Sequence, residues 1–147
     1  MYEHGLIAPV VALLIWSFLV LIWLYATRIP AMQRAKIRPN SATKEEMEGL
    51  PASARNVADN YNHLMEQPTL FYAVCFALHF LGQGENAINI GIAWAYVALR
   101  VVHSLVQGTV NIITLRFFIF VLASIALGAL IFHAALAAEL AWFNWPF

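Results

Sequence analysis

Four stretches of this chain are each long and apolar enough to cross a lipid bilayer, and nothing else in the sequence constrains its fold as tightly. A hydrocarbon core takes about 20 predominantly apolar residues per helix. Residues 6–27 ("LIAPVVALLIWSFLVLIWLYAT"), 64–81, 88–110 and 117–140 meet that requirement. The expected fold is an all-α integral membrane protein, a four-transmembrane-helix bundle, with residues 1–147 forming a single membrane domain. Composition agrees: 11% of the residues are charged, against about 25% in soluble domains, which leaves no room for a separate soluble module.

Charge placement sets the expected orientation. Eight basic and eight acidic side chains cancel, so no net field points to nucleic acid. The hydrophilic segment 28–55 carries Arg28, Arg34, Lys36, Arg38, Lys44 and Arg55, six of the eight basic residues. Lysine and arginine resist translocation, which assigns this loop to the cytoplasm and both termini to the opposite side. The opening "MYEHG" lacks the positive charge of a signal peptide, so the first span is expected to stay in the mature protein. Trp142 and Trp145 close the fourth span as interfacial anchors.

The second helix reads as starting near Ser53, a candidate cap, and running to Leu81 with a kink where Pro68 lacks a donor. Along it Arg55, Asp59, Asn62 and Glu66 recur at spacings of four, three and four, which places them on one stripe with His63 beside it. Tyr96, Arg100, His103 and Gln107 repeat that spacing in the third span. A buried arginine costs about 2.5–3.5 kcal/mol even on lenient insertion scales, so Arg100 needs a partner, and Glu66 is the expected carboxylate. Arg116 opens the fourth helix on the same side. These groups should converge at the cytoplasmic end of the bundle, and intramembrane ionisable residues mark function by default.

Other chemistries find less support. His63, Glu66 and His103 are the best metal candidates, yet the paired motifs of carboxylate-bridged sites in helical bundles are missing, so no metal is expected. Cys75 lies deep in apolar sequence and reads as a small buried hydrophobe. His79 and His133 read as packing or pore-edge residues.

The segments "ARNVADNYNHLMEQPTLFYA" and "ALRVVHSLVQGTVNIITLRFFIF", with four spans in about 150 residues and a basic first loop, resemble the MAPEG proteins, the membrane-associated proteins of eicosanoid and glutathione metabolism, and their bacterial members most closely. The resemblance implies a homotrimer, here in a bacterial inner membrane, with glutathione sites between subunits facing the cytosol. Lipophilic small molecules would arrive from the surrounding membrane lipids. It implies that Arg116 stabilises the glutathione thiolate as the catalytic residue, and that Arg55, Asn62, His63, Glu66, Tyr96, Arg100 and His103 contribute to glutathione binding. Family transferases carry an arginine, an asparagine four residues later and a glutamate three after that. With Glu66 in the glutamate place, His63 stands where that asparagine belongs and Asp59 where the arginine belongs.

The leading expectation is a glutathione-dependent transferase or peroxidase acting on lipophilic electrophiles. The alternatives are a non-enzymatic lipid- or partner-binding protein of the same fold and, third, a small transporter, which lacks the expected acid in the first span. Cysteines introduced at Lys44 and Glu85 test the orientation. An impermeant thiol reagent added to intact cells should label position 85 and spare position 44, and the reverse pattern would invert the topology.

Overall fold

The computed structural model describes residues 5–143, and the surroundings of side chains as far as residue 139. The anchoring expected of Trp142 and Trp145 falls outside those described side chains. Helix α1 spans Ile7–Arg34. It carries on past Thr27 because a hydropathy window marks where lipid ends, not where a helix ends, and it passes through Pro30 without stopping. It closes with Lys36 in the left-handed region (φ 58°), the Ile37 amide reaching back to the Met32 carbonyl at 3.0 Å. That six-to-one bond satisfies a terminal carbonyl in the manner of a Schellman turn. A 3₁₀ turn at Pro39–Ser41 leads to the short α2, Lys44–Glu48. There Thr43 and Glu46 exchange side-chain bonds with each other's backbone as a capping box.

The second span is not one kinked helix. It divides into α3 (Ala52–Leu64) and α4 (Pro68–Leu78), separated by three non-helical residues. Ser53 does not cap α3, which starts at Ala52 behind Pro51. The break follows from Pro68: in a continuous helix the Leu64 carbonyl would accept from the amide of residue 68, and proline has none. Pro68 instead takes the first position of α4, where a missing N–H costs nothing. Beyond α4 a π-type turn, His79–Gln83, holds Gly82 at φ 75°, a backbone angle that glycine adopts without strain. Helices α5 (Ala87–Gly108) and α6 (Ile113–Phe143) complete the bundle. The four candidate spans are Ile7–Arg34, Ala52–Gln83, Ala87–Gly108 and Ile113–Glu139.

The bundle has an apolar core and also an apolar outer surface. Leu13 of α1, Phe71 and Leu78 of α4, Ala93 and Tyr96 of α5 and Leu130 of α6 form the centre of the core. Phe18, Phe80, Ile88, Ile113, Phe117 and Ile125 face outward. On α5 the buried face is largely polar: Asn89, Arg100, His103, Ser104 and Gln107 point in, while Ile88, Trp94, Val102 and Leu105 point out. Lipid is as apolar as leucine, so exposing such residues there costs little and polar side chains do the joining between helices. Helix α5 packs on α6 and α3, and α1 on α3. Gly108 allows α5 a close approach to α1, because a Cβ there would collide with the indole of Trp23.

Candidate functional site

The site grows from the break between α3 and α4. Arg100 is fully buried. Its Nη2 donates to the carbonyls of His63 at 2.8 Å and Leu64 at 3.0 Å, the second being the group that Pro68 leaves without an amide. The C-terminus of α3 also presents the negative end of its helix dipole to the cation. The expected Glu66–Arg100 ion pair is therefore corrected: Arg100 is held by backbone oxygens, and the Glu66 carboxylate turns to His63, its Oε2 lying 2.9 Å from Nδ1. The reason is geometric. Glu66 sits in the break itself, on its outer side, and its side chain is 58% exposed.

Around that clamp three rings meet. His63 lies 4.9 Å from His103 and 4.8 Å from Phe120, centroid to centroid, and His103 lies 6.0 Å from Phe120. The Arg100 guanidinium carbon stands 5.7 Å from the Phe120 centroid, within cation–π range. Arg116 lies one helical turn before Phe120 on α6, the ring that meets both histidines.

Arg116, half-buried at the start of α6, donates through Nη1 to Asn111 Oδ1. Asn111 in turn donates to Asn56 Oδ1 at 3.1 Å, so a single amide ties α3, the α5–α6 connection and α6 together. Asn111 occupies the left-handed region at φ 52°, one that asparagine tolerates better than most residues.

The two sequence stripes do not face one another. The α5 stripe points inward. On α3 it is Ala54, Val57, Asn60 and Leu64 that are buried, while Arg55, Asp59, Asn62 and Glu66 are exposed. The register explains this: Leu64 and Val57 claim the core face, which turns the charged stripe outward. Arg55 and Asn62 line a separate cavity of about 340 Å³ with Arg28, Lys44, Glu48 and Asp59. Tyr96 stacks on Phe71 at 4.5 Å inside the core. His63, Glu66, Arg100, His103 and Arg116 are the expected site residues that come together.

Sequence reasoning missed the buried Asn60–Ser104 bond at 2.7 Å and the Gln67–Ser124 bond at 2.9 Å. The signal for the first was a polar residue on the apolar face of α3. At the other end of the bundle His133 bonds Asn89 at 2.7 Å. Cys75 is buried. Among the described residues, no three His, Cys, Asp or Glu side chains are grouped to hold a metal ion.

Fold and site together define a four-span helical membrane protein with a cluster of arginine, histidine and glutamate at the end that carries its basic loop. The sequence model of the MAPEG family matches residues 6–136, and the chain belongs to that family. Neither the curated proteins nor the solved structures gave a match.

Glu66 and Arg100 do not touch but share His63, so the stability losses of Glu66→Gln and Arg100→Gln should depart from additivity by no more than about 1 kcal/mol in the double variant. Arg100→Gln should carry nearly all of the loss, since it strands the buried Leu64 carbonyl at about 1–3 kcal/mol and leaves the His63 carbonyl only the Glu66 amide at 3.4 Å. A coupling above about 1 kcal/mol, measured by thermal unfolding in detergent, would restore the direct pair.

Proposed function

We propose that the protein is a membrane-bound, glutathione-dependent transferase or peroxidase acting on lipophilic electrophiles, working as a homotrimer with its site at the cytoplasmic end of the bundle. Membership of a family associated with glutathione use supports the reading. The observation that carries it is the pairing of His63 with Glu66 beside Phe120, one helical turn from Arg116 on α6.

The residues suit an anionic thiol ligand. His63 and Glu66 side chains are 26% and 58% exposed, so both are reachable from outside the chain. Arg116 keeps a buried Nε with no partner among the described residues, a spare donor on a permanently charged group. Glutathione supplies the nucleophile, a thiolate, and a free thiol near pKa 8.5 needs adjacent cations to ionise at neutral pH. Guanidinium keeps its charge throughout, and the α6 N-terminus adds partial positive charge. Arg100, being enclosed, contributes its field and holds the break in shape, leaving direct contact to Arg116, His63 and Glu66.

Glutathione at about 100 times its Kd should stabilise the detergent-solubilised protein by about 2.7 kcal/mol, read as a rise in Tm. Arg116→Ser should keep most of the binding and lose the ultraviolet absorbance of the bound thiolate. A melting curve that glutathione leaves unmoved would favour the non-enzymatic, lipid- or partner-binding reading.

A further inference from the structure

We propose that His63, oriented by Glu66, is the base that takes the proton from the glutathione thiol. The proposal deepens the reading given above and rests on it. Its ground is a local geometry that the family pattern, with asparagine at this place, does not contain.

A carboxylate can only accept a hydrogen bond. The 2.9 Å contact between Glu66 Oε2 and His63 Nδ1 therefore puts the imidazole proton on Nδ1 and leaves Nε2 with the free lone pair. A carboxylate–histidine pair of this kind is the orienter-and-base half of the arrangement that activates nucleophiles. The ring is fixed in place, lying 4.9 Å from His103 and 4.8 Å from Phe120. The side chain is nonetheless 26% exposed, whereas His103 is 3% exposed. Of the two histidines, His63 is the one a ligand can meet.

The charged groups around it fit both products of the transfer. Glu66, on its own segment, balances an imidazolium. Arg100 and His103 face it from α5, and from α6 comes Phe120, one helical turn after Arg116; the two guanidiniums are the cations available to balance a thiolate. In the step, the thiol S–H bond breaks with its electron pair staying on sulfur, and the proton forms a bond to Nε2. When the thiolate then adds to an activated double bond, the S–C bond forms as the π bond breaks, and the same proton passes from Nε2 to the resulting carbanion. Proton and charge balance without any co-reactant. Asparagine at position 63 could bind a ligand but could not accept this proton.

The test uses the full-length protein in detergent, with glutathione binding followed by calorimetry and thiolate by ultraviolet absorbance across pH. In the parent, thiolate should persist well below the ordinary thiol value of about 8.5. His63→Asn should bind glutathione within about threefold of the parent. Its thiolate midpoint should rise by a unit or more toward the ordinary thiol value of about 8.5, and turnover of an activated alkene at pH 7 should drop about 10²-fold. Glu66→Gln should move the midpoint the same way by less.

A second measurement needs no variant. Calorimetry of the parent at pH 7.5 in two buffers of different ionisation enthalpy should show thiolate forming with far less than one proton released per site, because His63 keeps it. An unchanged midpoint in His63→Asn, or a full proton released by the parent, overturns the role of His63 and leaves the glutathione reading standing. Failure of the parent to bind glutathione at all overturns both.

Discussion

Everything at the end of this bundle that holds the candidate site depends on one missing amide proton. Pro68 cannot donate to the Leu64 carbonyl, so an apolar segment deep in the bundle carries a backbone oxygen without its helical partner. Left alone, that group would cost about 1–3 kcal/mol. A guanidinium buried without acceptors would cost more. Arg100 answers the first and part of the second: its Nη2 bonds Leu64 and its neighbour His63, while Nε and Nη1 have no partner among the described residues. The cation thereby gains two oxygens and the negative pole of α3, and the broken helix gains a donor from α5.

That clamp decides where the side chains of the candidate site go. With the carbonyl of His63 pinned, its ring is carried toward His103 and Phe120, and Glu66, in the break, folds back to its Nδ1. A continuous helix would have placed His63 and Glu66 on one rigid face. The Asn56–Asn111–Arg116 chain then fixes α6 against α3 at the same end. The opposite end is closed separately, by the Leu6 amide on the Gly84 carbonyl at 3.0 Å and by the Asn89–His133 bond, so it has no part in the site's geometry.

The sequence made the four apolar spans legible, because bilayer thickness imposes a length that hydropathy reports directly. It also made the α5 stripe legible, since four polar residues at helical spacing inside an apolar run have nowhere to point but inward. The α3 stripe misled for the complementary reason. Arg55, Asp59, Asn62 and Glu66 share a face, but spacing does not say which way a face looks, and Val57 and Leu64 compete for the core more strongly. The Arg100 partner was hidden because a side-chain inventory offers only carboxylates, whereas the true acceptors are backbone oxygens. Pro68 was their one trace in the sequence. It reads as a kink until the carbonyl it orphans is followed to its donor.

Thermal unfolding of Pro68→Ala tests this account most directly, because the two views differ in sign. If Pro68 were only a tolerated kink, alanine would restore an amide and improve helix propensity, and the protein would become more stable, with a gain of up to about 3 kcal/mol. If the freed carbonyl is what holds Arg100, the alanine amide competes for Leu64, the break between α3 and α4 tightens, and the buried guanidinium loses one of its two acceptors. The account predicts a lower Tm for Pro68→Ala than for the parent, and an equal or higher Tm would contradict it.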